Sequence, residues 1–443
     1  MSAVTLETVA TGLEPYRAQL TRVAARGTEP RWRQAQREDA MARAERRGFP
    51  GPDDEAWRFT SVAPIARGAF EGAAEPPAEV PEDLRALRLG ADAVAAEIVL
   101  VNGRFAAGLS TAPPDGLQVM TLAQALAARP ELVEVHLGQL AGSASVFTDL
   151  NTALAEDGAV ILLGEGTVVE RPIHVLHLNT GGAAMAHTRT LVVAARASQA
   201  TVVQTWASAG GPSLSTSVTE IVLEDGALVD HYRLQQEGAE AFHVSSLHVR
   251  QRRDSRFTDH ALLLGGALAR TDADVVLDGP GAEATLDGLF MARERQHLDA
   301  HTRIEHAQAH GTSRELYNGV LDGRSRGVFH GLIVVQPHAQ KTSAFQSNHN
   351  LLLSREALVN STPALEILAD DVKCKHGSTT GQLDAQSLFY LRARGIGLDA
   401  ARALLVYAFA SEVVARVAVP AVRRRLEGLM AERLPGAPQE ILQ

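Results

Sequence analysis

The sequence predicts a mainly β protein, with a β-solenoid core between helical regions at its two ends. Three observations carry this. From about Asp157 to Asp371, short apolar or alternating runs follow one another with turn residues between them. No amphipathic pattern of ten or more residues interrupts that stretch, which excludes a doubly wound βαβ fold there. Both ends of the chain are rich in Ala, Leu, Arg and Glu at helical spacing.

Taken in order, the first region is residues 1–82. Residues 1–48 are helical in pattern, and Gly48, Pro50, Gly51 and Pro52 stop the helix. A compact segment, EAWRFT at 55–60, follows. Residues 71–82 (EGAAEPPAEVPE) are rich in Pro and Glu and form a solvated linker. Residues 83–156 are a mixed α/β lead-in. Ala96 to Phe105 is a short strand with a turn signal at Asn102-Gly103, and Leu122 to Leu140 is helical. The core spans 157–383, with runs such as AVILL at 159–163, IHVLHL at 173–178, TVVQTW at 201–206 and GVFHGLIVV at 327–335. Gly164/Gly166, Asp225-Gly226 and Asp278 to Gly281 punctuate it. A polar-Gly-apolar-apolar pattern recurs at Asp287, Asn318 and His330, which suits solenoid coils of variable loop length; a hairpin meander is the alternative. Residues 384–443 return to helix. Asp384 caps a first helix that Gly395 stops, Asp399 caps a second, and Pro420 opens a third.

Composition narrows the chemistry. The 443 residues hold 42 Lys+Arg against 52 Asp+Glu, a net charge of −10, which argues against a broad basic surface for nucleic acid. A single cysteine excludes a disulfide framework, and any iron–sulfur cluster held by this chain's thiolates alone. Lysine occurs only at 341, 373 and 375, and all 16 histidines lie between His136 and His376. Met1 to Ala10 lacks the basic and apolar regions of a secretory leader. The most apolar stretch, Ala401 to Val422, is broken by Arg402, Glu412, Arg416 and Pro420. The expectation is a cytoplasmic protein with no membrane span.

Serine-hydrolase, P-loop, dinucleotide and H-E-x-x-H motifs do not occur. His301, His306 and His310 come nearest to a metal motif. On one strand His306 and His310 would share a face and His301 would oppose them, a spacing that suits ordinary sheet histidines. Asp272, Asp274, Asp278, Glu283 and Asp287 are the carboxylates a β-helix carbohydrate-active enzyme would need, but their mixed parity suits turns. The sharpest feature is DDVKCKHG at 370–377. Cys374 and His376 would point to one face of a strand, where a thiolate and an imidazole suit a soft metal. Lys373 and Lys375 beside the cysteine would favour thiolate. Two ligands do not close a tetrahedral site, so the functional reading needs ligands from a second chain. A buried cysteine with a hydrogen-bonded histidine is the plain alternative.

Four segments carry a family resemblance: EAWRFTSVAPI from Glu55, RELYNGVLDGRSRGVFHGLIVVQPHAQKT at 314–342, SAFQSNHNLLLSREALVNSTPALEILADDVKCKHGSTTGQLD at 343–384, and LFYLRARGIGLDAARALLVYAFASEV at 388–413. Over residues 55–415 the chain resembles the SufB/SufD family of iron–sulfur cluster assembly proteins. The CKHG motif, with no cysteine between Leu351 and Asn360, matches the SufD type. The resemblance implies a right-handed parallel β-helix and a non-catalytic scaffold role. It implies pairing with SufB through the β-helix, or with a second copy when alone, and docking of the ATPase SufC on the C-terminal helices. Leu388, Phe389, Tyr390, Arg394, Gly395 and Ile396 would form that docking surface. His376, and with it Cys374, would hold a transient iron–sulfur cluster shared with SufB, the isolated chain carrying no cofactor of its own. A carbohydrate-active enzyme and a purely structural ATPase adaptor are the competing readings.

Overall fold

A computed structural model describes residues 12–25, 29–72 and 80–434. Met1 to Ala10 and residues 73–79 of the Pro/Glu segment lie outside them. Successive strands alternate between two ten-stranded sheets. One sheet starts at Arg104–Phe105 and Ala96–Val101, takes every second strand from Ile173–Asn179, and ends at Lys373–Gly381. The other runs from Gln118–Thr121 and Asp157–Leu163 to Leu358–Ile367. From Asp157 onward every pairing between coils is parallel, for example Glu283 to Ala292 against Thr312 to Leu321. A hairpin meander would make neighbours antiparallel, so the core is a parallel β-helix. Among the described residues, antiparallel pairs occur only at its first edge, where Asn102 (φ 50°) and Gly103 (φ 80°) make the tight turn that their dipeptide signals.

The coil repeat differs from the repeat expected from sequence. Arg256 lies opposite Glu283, Glu283 opposite Thr312, Thr312 opposite Ser343 and Ser343 opposite Lys373, so one coil takes roughly 27 to 31 residues. Asp287 therefore pairs with Leu316 rather than Asn318, and His330 belongs to the other sheet. The glycines of that pattern serve packing. A Cβ on Gly288 would lie 2.1 Å from the Tyr317 ring, and one on Gly319 would lie 2.3 Å from Phe290. The period is marked instead by a corner at which each coil takes a left-handed backbone: Gly166, Ala197, Gly226, Asp254, Gly281, His310 and Lys341, with φ between 52° and 74°. Each donates its N–H to a carbonyl in the corner of the following coil, from Gly166 to Arg196 through to Lys341 to Asp371. His310 is thus a turn residue. It does not share a strand face with His306, which points inward to Ser313.

Apolar inward residues from both sheets, among them Val175, Ile221, Phe257, Ile304 and Phe329, fill the interior. The outer face of each sheet is covered by a different end of the chain. Helices Glu14–Ala24, Arg31–Arg47 and Val146–Leu154 pack on Met185, Leu214, Val244 and Leu268. Arg37 donates to the Ala153 and Ala155 carbonyls at 2.7 Å, closing the C-terminus of the third of these helices. Trp57 of EAWRFT lies under the Arg270 guanidinium at 3.7 Å, and Thr60 donates to Asp299 at 2.5 Å, which fixes that segment to the sheet. On the opposite face, helices Leu398–Val414 and Pro420–Arg433 bury Val406, Ala410, Val413 and Leu426 against Tyr232, Leu262, Leu289 and Leu316. Asp384 caps Ala385–Ala393 through the Ser387 N–H at 2.8 Å, and Gly395 (φ 88°) ends the turn. Asp399 is not a cap: Gly397 occupies that position, and Asp399 stands in the first turn, where a carboxylate suits the helix dipole. Pro420 opens the last helix as expected. Among the described residues, no helix is long and apolar enough to cross a membrane.

Candidate functional site at the open end of the solenoid

Among the described residues, the β-helix ends without a cap. Lys373–Gly381 bonds only to Ser343–Leu352 within its sheet, and Leu358–Ile367 only to Arg326–Val335. Both last strands leave a row of backbone groups unpaired, and Leu358, Ile367, Leu368 and Phe345 are exposed around them. Such an edge is a template for another chain.

Cys374 and His376 lie on the first of these strands. Cys374 sits opposite Ala344, and His376 opposite Gln346. Ala344 and Gln346 point into the solenoid, so Cys374 and His376 share the inward face of the last coil, as their spacing predicts. Cys374 is half-buried against the interior core, whereas His376 is exposed at the open end. The lysines do not act as expected. Lys373 and Lys375 stand on the opposite face, and burial pushes the Cys374 thiol up, opposed only by a backbone hydrogen bond from Ala344. Among the described residues no group of three or more His, Cys, Asp or Glu is arranged to hold a metal, so this end of the chain offers at most an incomplete ligand set.

Behind this end the largely apolar interior also holds buried polar groups, which the strand patterns only hinted at. His231 bonds Asp259 at 2.9 Å and Gln204 at 2.8 Å, and Arg233 meets the same Asp259 through two bonds of 3.0 and 2.6 Å. Burial opposes the Asp259 charge, but Arg233 and His231 hold its carboxyl well below the usual range. Two coils back from His376, Glu315 accepts from Thr302 at 2.5 Å and from Gln346 at 2.7 Å; burial pushes it up to about 7. The available signal was a polar residue at an inward position of an apolar strand, in TSRELYNGVL and SAFQSNHNLL.

The other candidates are dispersed. His301 stacks on His330 at 5.0 Å on an outer sheet face with its Nε2 3.0 Å from Asp299, while His306 is buried with its ring pushed down to about 4 by burial. Asp272 and Asp274 pair with Arg270 and Arg303 on one sheet, Asp278 pairs with Arg252, Glu283 is exposed, and Asp287 pairs with Arg416 on the other sheet. They do not form the facing carboxylate pair a glycosidase needs. On the C-terminal side, Phe389 and Tyr390 are 74% and 55% exposed. Arg394 lies over the Tyr390 ring at 4.5 Å, and Leu388, Gly395 and Ile396 complete the same turn of chain. The helix Ala385–Ala393 buries none of its own residues.

Comparison with known proteins agrees with this architecture. Residues 177–409 match the family described as "SUF system FeS cluster assembly, SufBD core domain", and residues 16–175 match "SufBD protein N-terminal region". An iron–sulfur cluster assembly SufBD family protein of Synechocystis is 31% identical over 393 residues, covering 85% of this chain and 86% of that protein. The iron–sulfur cluster assembly protein SufD of Escherichia coli is 30% identical over 397 residues, covering 88% and 90%. SufD of Bacillus subtilis is 24% identical over 290 residues, covering 65% and 66%. A parallel β-helix with a SufBD core, a SufBD N-terminal region and relatives of this extent places the chain in the SufBD family of iron–sulfur cluster assembly proteins.

Proposed function

We propose that this chain is a non-catalytic, cytoplasmic scaffold subunit of the SUF machinery. SufB adds to the open end of the β-helix, SufC docks on the C-terminal helices, and a nascent cluster forms at the SufB interface. When SufB is absent, a second copy of the chain takes its place. The observation that carries this reading is the position of His376: an exposed imidazole on an edge strand paired on one side only, facing the space an added chain would close. An imidazole there, with the Cys374 thiol two residues away, supplies one or two ligands and leaves the rest to the partner. Incomplete ligation suits a scaffold, because the cluster is cargo and must leave. The Phe389–Tyr390 surface supports the docking assignment, since two adjacent exposed aromatics on a helix that buries nothing invite a protein partner.

The test is His376→Ala in the complex of the three proteins. The complex is expected to assemble normally and cluster yield to fall to background, read by the visible charge-transfer absorbance and by iron and sulfide content. Unchanged yield on an intact mutant complex would leave only the role of an adaptor for the ATPase.

A further inference from the structure

Two inward columns run side by side into the last coil. In one, Tyr317, Asn348 and Ser378 face one another across successive coils. Asn348 Nδ2 donates back to the Tyr317 carbonyl at 2.9 Å. Its Oδ1 accepts from Asn350 Nδ2 on its own strand at 2.6 Å and, from the last coil, from Ser361 Oγ at 2.7 Å and Ser378 Oγ at 3.5 Å. In the other column, Glu315, Gln346 and His376 hold the same three coils. Gln346 Nε2 donates back to Glu315 Oε2 at 2.7 Å, and Thr302 Oγ grips the other carboxylate oxygen. The amide is also wedged: a Cβ on Gly331 would lie 2.3 Å from Gln346 Nε2. Yet Gln346 Oε1, in a side chain 2% exposed, has no hydrogen-bond partner among the described residues. The residue opposite it in the last coil, His376, is exposed, and its imidazole makes no hydrogen bond among them either.

We propose that Gln346 is a positioning residue for His376: its amide carbonyl accepts the imidazole N–H once a partner covers the open end, and so decides which ring nitrogen keeps its lone pair for iron. The neighbouring column makes the same bond, with a last-coil hydroxyl on the Asn348 carbonyl. A buried carbonyl without a donor is unfavourable, which selects a donor from the last coil. Strands stand about 4.8 Å apart, within reach of a rotation of the ring toward the preceding coil. A histidine that ligates through one nitrogen commonly donates from the other to such a carbonyl, which fixes its tautomer and orientation. Glu315 and Thr302 act one step further back, by holding the amide. The inference rests on the reading that His376 ligates the nascent cluster.

The test uses the assembled complex with SufB and SufC, reconstituted with ferrous iron and sulfide, with ¹⁵N-histidine in this chain only. Gln346→Met fills the same space without an acceptor. It is expected to assemble and load, to lose its cluster about tenfold faster to a chelator, and to show two ¹⁵N couplings by pulsed EPR of the dithionite-reduced cluster where the wild type is expected to show one. Gln346→Asn keeps a buried amide but draws the carbonyl back; it is expected to show the same loss and replaces Gln346→Met if that variant fails to assemble. Wild-type cluster lifetime and a single wild-type coupling in the variant that assembles overturn the positioning role. His376→Ala separates the two ideas: if it too behaves as wild type, the ligand reading itself falls; if it alone loses the cluster, only the role of Gln346 falls.

Discussion

Asp287→Asn should tighten the C-terminal helices onto the solenoid at neutral pH, although it removes one side of an ion pair. Asp287 is 2% exposed beneath helix Leu398–Val414, with Arg416 at 2.9 Å and His260 at 3.9 Å. Burial pushes its carboxyl from 3.8 up to about 6, against the opposing pull of Arg416. A rise of that size corresponds to about 3 kcal/mol between protonated and ionised forms. The folded state therefore binds this proton more tightly than the open state does. The resulting stabilisation is complete below pH 4 and is lost as pH rises through 6. At pH 8 the wild type holds a charge that its site disfavours. Asparagine keeps an acceptor for Arg416 without that charge. The expected gain is about 1–3 kcal/mol in opening free energy at pH 8, shrinking to within about 1 kcal/mol of zero at pH 4.5. The assay is native-state hydrogen exchange of residues 398–414 across that pH range, corrected for intrinsic rates. An Asn variant that opens more easily at pH 8 by about 1 kcal/mol or more would refute the reasoning, because the Arg416 pair would then outweigh burial.

Phe389→Ala with Tyr390→Ala should abolish SufC capture in a pull-down while leaving the fold intact by circular dichroism. This pair is a cleaner test than removing residues 384–443, which would also strip the cover from Tyr232, Leu262 and Leu289. Gly288→Val should destabilise the core by about 3 kcal/mol or more, since its side chain meets the buried Tyr317 ring; an unchanged urea midpoint would contradict the packing. Cys374 should alkylate more slowly than a free thiol at pH 8, with its rate midpoint displaced to higher pH by burial. A midpoint displaced to lower pH would restore the influence of the flanking lysines.

The mainly β core, its helix-free extent and its helical ends were legible in the sequence, because strand and helix periods differ and Gly, Pro and Asp mark the ends of elements. Asn102-Gly103, Asp384, Gly395 and Pro420 each act where local chemistry places them. So does the pairing of Cys374 with His376 on one face, which follows from the period of two residues along any strand. The coil period was hidden. Its corner needs only a left-handed backbone, and the chain meets that need with Gly at three corners and Ala, Asp, His and Lys at the others, so no one residue type marks the period. Parallel register was hidden for a related reason, since it joins residues about 30 apart through backbone groups that every residue carries. Asp287 was legible as an acid but not as a buried one, because a helix more than a hundred residues later covers it. The sequence by itself thus determined which residues form strands and which side chains share a face. Only the tertiary structure decided which faces are buried, and that Lys373 and Lys375 point away from Cys374 at an end of the solenoid that none of the described residues covers. Burial and proximity depend on long-range packing, and a local pattern cannot encode what will lie against it.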